Sequence, residues 1–149
     1  MLREIKFRGK SAGEWHYGHF FAYRNTGGGT GAHFIVLQEK EDKNLKPIQV
    51  MPETVGQFTG LHDINGNDIY EGDIVQIMYR IEEGRGKNKH EVLRPYMNSK
   101  PNVISFRMGA FGYVNFKETE YVEEEWLPFL DVECEILGNI FDNPEIEHE

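Results

Sequence analysis

Period-two alternation of apolar and polar positions runs through most of the chain. In REIKFRG, Ile5 and Phe7 share one face, and Glu4, Lys6 and Arg8 take the other. In EWHYGHFFAY, Trp15, Tyr17, His19 and Phe21 lie opposite His16, Gly18 and Phe20. GKSAG between them has turn chemistry, so residues 3–21 predict a hairpin. RNTGGGTGA reads as a loop tip and not as a phosphate cradle, because strand-like HFIVLQ follows it in place of a helix. EKEDKNLK is a charged loop, PIQVM a short strand, and MPETVGQF opens on one helical turn with Pro52 near its start. DIVQIMYR is a further strand. NVISFRM and FGYVNFK form a hairpin across GA, and ETEYVEEEWLPFL is ambiguous between a short helix and an irregular crossover. In DVECEILGNIF, Val132, Cys134 and Ile136 point inward and Asp131, Glu133 and Glu135 outward. About eight short strands without an amphipathic helix predict an all-β barrel or roll.

Composition supports that reading and narrows the setting. The 149 residues include 10 Phe, 7 Tyr, 2 Trp and 16 Gly, a supply suited to strands and turns. A chain of this size buries enough surface to fold without disulfides or metal. Its apolar runs are too short to span a bilayer, and MLREIKFRGK lacks the apolar stretch of a signal peptide. Cys134 is the sole cysteine, so no internal disulfide forms. These features place the protein in the cytoplasm, with no membrane partner.

Charge is unevenly distributed. The formal total is −9. The first 117 residues carry 16 Lys and Arg against 13 Asp and Glu, a net +3, and the last 32 carry 12 acids and no base. Such asymmetry suits a solvated tail, an acidic surface for a basic partner, or neighbouring subunits packed positive to negative. Residues 80–102 have little periodicity and six basic residues against three acidic ones, and read as an inserted or mobile loop. Arg85, Lys87, Lys89 and Arg94 in this loop are the candidate partner-binding residues.

The polar stretch GLHDINGNDIYEGDIV holds the strongest metal-like constellation: His62, Asp63, Asn65, Asn67 and Asp68. A calcium loop of EF-hand type needs glycine at position six. Counted from Asp63, glycine falls at position four, so that pattern fails. Turn chemistry accounts for the same residues. Asn65-Gly66 between Ile64 and Ile69 signals a type I′ hairpin, and Glu71-Gly72-Asp73 a second bend. His16 and His19 fall on opposite faces of a strand and do not share an ion; His19 is expected to be packed and hydrogen-bonded. Cys134 on an inward face reads as a small hydrophobe, and no Gly-x-Ser-x-Gly elbow is present. No catalytic residue, metal ligand or cofactor is therefore assigned.

Three segments together resemble the YopX family of phage and prophage proteins. They are MLREIKFRGK…GEWHYGHF, VMPETVGQFTGLHDINGNDIYEGDIVQI and EILGNIFDNPEI, with GAFGYVNF between the last two. The resemblance spans roughly half of the chain in family order. It implies a mostly β protein with an SH3-like barrel in its C-terminal part, encoded by a phage or prophage, and it carries over no catalytic or binding residue. The expected architecture is an N-terminal β-hairpin region (residues 1–55) packed on an SH3-like β-barrel region (56–149), with the insertion loop at 80–102. The leading functional expectation is a non-enzymatic binding or assembly module with a protein partner, and homo-oligomerisation fits its strand edges and charge asymmetry. One alternative is a nucleic-acid-binding or nucleic-acid-mimicking accessory protein, with direct binding disfavoured by the net charge. The other is a metal-assisted hydrolase using HDINGND.

Overall fold

A computed structural model describes residues 4–23, 31–37, 46–95, 100–117, 123–128 and 133–146. The predicted glycine-rich loop, the EKEDKNLK loop, residues 96–99 and 118–122, and the inward position of Val132 lie wholly or largely outside that set. Twelve strands are described: β1 (Phe7–Ser11), β2 (Glu14–Tyr23), β3 (Ala32–Leu37), β4 (Pro47–Val50), β5 (Gly56–His62), β6 (Asp68–Tyr70), β7 (Asp73–Glu83), β8 (His90–Pro95), β9 (Asn102–Arg107), β10 (Ala110–Lys117), β11 (Glu123–Pro128) and β12 (Cys134–Asn139). Two single 3₁₀ turns, Pro52–Thr54 and Gly86–Asn88, are the only helical pieces among the described residues. The protein is thus all-β. The ambiguous segment after Lys117 contains strand β11 where it is described.

The chain forms two units, Met1–Leu61 and His62–Glu149. In the first, the antiparallel order is β4-β3-β2-β1-β5. β2 does double duty: its first half pairs with β1 and its second half with β3, and Gly18 is the one residue paired on both sides. The sheet curls until the end of β4 meets β1, where Met51 N–H donates to Lys10 O at 2.9 Å. Gly9 makes that approach possible, since a Cβ there would lie 2.8 Å from Val50 Cγ2. The 3₁₀ turn at Pro52–Thr54 closes the corner. Thr54 Oγ1 accepts from Lys10 N–H at 2.8 Å and donates to Met51 O at 2.7 Å. The inner face of the curl carries the unit's core residues Ile35 and Val50, both buried.

In the second unit the order is β11-β10-β9-β7-β12, and β8 also pairs with β7. β7 is the spine. Residues 73–77 run beside β12, and Ile74 and Val75 also pair with β9. Both are fully buried, so this part of β7 is covered on both faces. Ile69, Ile104 and Cys134 complete the centre of that core. From Met78 to Glu83 the same strand pairs with β8 alone. Among the described residues neither sheet closes on itself, so the barrel expected over 56–149 is present as an open antiparallel sheet. Residues 80–95, expected to be an irregular loop, are a regular hairpin. Charged neighbours mask the few apolar residues Ile81, Val92 and Leu93 in the sequence, and the hairpin is defined by strand pairing from Met78–Pro95 to Glu83–His90.

Turn chemistry differs from the sequence expectation in an instructive way. Asn65-Gly66 is not a type I′ turn: only Gly66 has positive φ (84°). Gly66 N–H donates to Asp63 O at 3.0 Å and Asp63 N–H to Asn67 O at 2.9 Å, which is a three-residue loop ending on a left-handed glycine. The pairs with positive φ at both positions are Ala12-Gly13 (49°, 85°) and Met108-Gly109 (52°, 80°). They join β1 to β2 and β9 to β10 through two-residue loops. Strand pairing on both sides forces the left-handed conformation on Ala12 and Met108 at a local cost of about 1–2 kcal/mol each.

Candidate functional site

Asp63 is the polar centre of the HDINGND segment. Its Oδ1 accepts from the N–H groups of Asn65 (2.9 Å) and Asn67 (2.8 Å). Its Oδ2 accepts from Asn67 Nδ2 (3.1 Å) and from Ile136 N–H (3.3 Å) on β12. Ile64 N–H donates to Cys134 O at 2.9 Å, so the turn is sewn to β12 at two points. Burial acts to raise the Asp63 pKa and is the largest single influence, but the four donors together outweigh it and hold the carboxyl below the usual carboxylate range. Its neighbours His62 and Asp68 pair with each other at 3.0 Å. Both Asp63 oxygens are thus engaged by N–H donors, and a hydrolytic metal would have to displace those bonds. Among the described residues no cluster of three His, Cys, Asp or Glu side chains has metal-holding geometry.

The second bend follows the same logic. Asp73 Oδ2 accepts from Tyr70 N–H at 2.7 Å, Gly72 N–H donates to Ile104 O at 2.8 Å, and Ile140 N–H donates to Gly72 O at 3.0 Å. At the other end of the unit, Asn139 Oδ1 accepts from Phe141 N–H and Asp142 N–H, each at 3.0 Å. Acids and amides in both motifs stabilise bends.

Cys134 is fully buried beside these two aspartates. Desolvation first, then the charges of Asp63 and Asp73, push its thiol up to about 12. A thiolate nucleophile is therefore not available at neutral pH. Iodoacetamide at pH 8 is expected to leave the native protein unmodified and to label one thiol once guanidinium unfolds it. Rapid stoichiometric labelling of the folded protein would contradict this placement.

The predicted partner-binding residues all lie on the β7–β8 hairpin, but the structure divides them. Arg94 donates to Glu83 Oε1 from Nε (3.1 Å) and Nη2 (2.9 Å), and Lys89 Nζ lies 3.0 Å from Glu82 Oε2. Glu82 and Glu91 stand directly opposite each other, an arrangement that is unfavourable by itself. Lys89 relieves Glu82, and Arg80 relieves Glu91 at 3.5 Å while also forking onto Glu133. These pairs are exposed and screened by solvent, so they add little to stability. Arg85 and Lys87 differ. They sit at the exposed tip, and among the described residues no ion pair or side-chain hydrogen bond reaches either. Gly84 and Gly86, both at positive φ (104° and 60°), shape that tip, and a Cβ at Gly84 would lie 2.2 Å from Asn88 O.

Sequence reasoning missed a second surface. His19, expected to be packed and hydrogen-bonded, is exposed, and Tyr17 and Phe21 on the same face are 48% and 43% exposed. The alternation gave the correct grouping; nothing in it distinguishes the inner face of a curled sheet from the outer one. A depression of ≈ 440 Å³ lined by Ser11, Ala12, Gln49, Val50, Met51 and Pro52 has no titratable side chain in its wall.

A match to the YopX protein family covers residues 6–146, nearly the whole chain, including the Asp63, Gly72–Asp73 and Asn139 bends. The chain belongs to the YopX family. The crystal structure of protein EF1440 from Enterococcus faecalis is similar over 98% of this chain and 99% of that one, at 18% identity and a TM-score of 0.47. No curated protein matches. Among the described residues no helix is long and apolar enough to cross a membrane.

Proposed function

We propose that this YopX-family protein is a non-enzymatic binding or assembly module, encoded by a phage or prophage and acting in the cytoplasm of the bacterial host. Its C-terminal region, SH3-like in the reading drawn from the family, presents the β7–β8 hairpin to an acidic protein surface. The observation that carries this reading is the contrast along the hairpin. Arg80, Lys89 and Arg94 are neutralised by Glu133, Glu91, Glu82 and Glu83, whereas Arg85 and Lys87 at the tip are not paired among the described residues. An exposed cation that is unpaired among the described residues is available for steering and register in a complex. A second copy of the chain is one such acidic surface, since residues 62–149 carry 19 Asp and Glu against 8 Lys and Arg.

Reversing both charges (Arg85→Glu with Lys87→Glu) tests the reading. In affinity purification from lysogenic cells, the proteins recovered with wild type are expected to be lost with the variant. The affinity for each should fall at least about tenfold, with a flatter salt dependence. Light scattering reports whether self-association is lost in parallel. Unchanged recovery, affinity and salt dependence would remove the hairpin tip as the contact.

A further inference from the structure

The outer face of the first sheet carries a row of aromatic side chains that the proposed hairpin contact does not use. Register fixes the row. Residues of β2 alternate, so Tyr17, His19, Phe21 and Tyr23 project to the face opposite the one that carries Ile35 and Val50. Tyr17, Phe21 and Tyr23 are 48%, 43% and 63% exposed. Phe21 stacks on Phe34 of β3 with centroids 5.0 Å apart and planes at 13°. At one end the row is closed: Trp15 has the Arg8 guanidinium 4.6 Å from its ring centroid, and Arg8 and Phe58 are buried. At the other end Tyr23 is the most exposed ring of the row.

Three exposed rings along one strand form a patch that a soluble protein keeps for a ligand. Charge selects the ligand. Arg8 and Lys10 of β1, and Lys6 just before it, lie on this face; Arg8 is buried, and Lys10 Nζ is 5.7 Å from the Trp15 ring centroid. No described strand residue on the face carries a carboxylate; Glu4, just before β1, pairs with Lys6 at 3.3 Å. The unit Met1–Leu61 holds 8 Lys and Arg against 6 Asp and Glu, a formal +2, although the whole chain is −9. Net charge therefore disfavours nucleic acid at the second unit and not at this one. Rings two residues apart on a strand are about 7 Å apart, a spacing that suits the bases of an extended single strand and not the closely stacked bases of a duplex.

We infer that the aromatic outer face of the first sheet binds single-stranded nucleic acid by stacking bases on Phe21, Tyr23 and Tyr17, with Lys10 and His19 beside the backbone. Stacking carries the affinity, because few phosphates are neutralised. The dependence of log K on log salt is accordingly shallow, with a slope of about −0.7 for one phosphate contact at Lys10. This inference does not rest on the hairpin tip.

Fluorescence anisotropy of a labelled deoxythymidine oligomer with the full chain tests it, alongside a duplex of equal length. The single strand is expected to bind at low ionic strength at least about tenfold more tightly than the duplex. Phe21→Ala and Tyr23→Ala should each weaken it at least about fivefold, and Tyr23→Trp should retain it. Tyr23 is the most exposed of the three, so its variants read out binding even if Phe21→Ala disturbs the fold, which a circular-dichroism melt reports. Three results overturn the inference. The oligomer fails to bind wild type; or the aromatic variants bind as wild type, with Arg85→Glu and Lys87→Glu then locating the contact at the hairpin tip or elsewhere; or light scattering shows a dimer that Tyr23→Ala dissociates while oligomer affinity is unchanged. The last would make this face a contact between copies of the chain.

Discussion

Replacing Asp63 by alanine is expected to destabilise the protein by about 3 kcal/mol and to lower its Tm by roughly 6–12 °C. The substitution removes an acceptor shared by Asn65 N–H, Asn67 N–H, Asn67 Nδ2 and Ile136 N–H. Bonds to a charged acceptor are each stronger than neutral ones, and the Ile136 bond ties the turn to β12, so neither side can relax alone. Asp63→Asn should cost nearly as much, because its amide would set a second NH₂ against Asn67 Nδ2 and Ile136 N–H. The pH dependence follows from the direction of the shift. The folded-state pKa is held below the ordinary value of 3.8, so the carboxylate stabilises the fold above about pH 4. That contribution is lost as pH falls through the folded pKa, and the gap in Tm between wild type and Asp63→Asn should narrow from pH 7 to pH 3. An equal gap at both values, or a Tm at pH 7 that only chelation lowers, would contradict a purely structural role.

Gly18→Ala is expected to cost about 3 kcal/mol or more and to lower the yield of folded protein. A Cβ at this position would lie 2.0 Å from Val36 O and 2.8 Å from Val36 C. Both atoms belong to the backbone of β3, so no side-chain rotation relieves the overlap. The strand would have to separate at the one residue of β2 that pairs with both β1 and β3. Gly13→Ala serves as a contrast. No atom lies within 4 Å of its Cβ position, so only the positive φ of 85° opposes it, at about 1 kcal/mol. Thermal melts of the two variants separate the effects, and equal losses would show that backbone conformation and not the close approach sets the penalty at Gly18.

Much of the fold was legible because strands announce themselves through side-chain parity. The hairpin from Phe7 to Tyr23, the strand at Ala32–Leu37, the Pro52 turn and the buried Cys134 all follow from alternation and turn residues. Two features were not legible. Residues 80–95 looked irregular because their strand-forming interactions lie between side chains distant in sequence, as with Glu83 and Arg94. Turn type was not legible where local preference and global register disagree: Asn65-Gly66 has the best type I′ chemistry, yet Met108-Gly109 adopts the positive-φ pair.

Sequence alone determined that this protein is all-β, which residues share a strand face, and that it resembles the YopX family, because each depends on order along the chain. It also rejected the calcium loop by counting positions from Asp63. Tertiary structure decided which face is inside, which cations are spent and which acid is buried. Those outcomes depend on curvature and on partners far away in sequence: Met51 reaching Lys10 curls the first sheet and leaves Tyr23 outside, and Ile136 reaching Asp63 turns a metal-like loop into a structural joint.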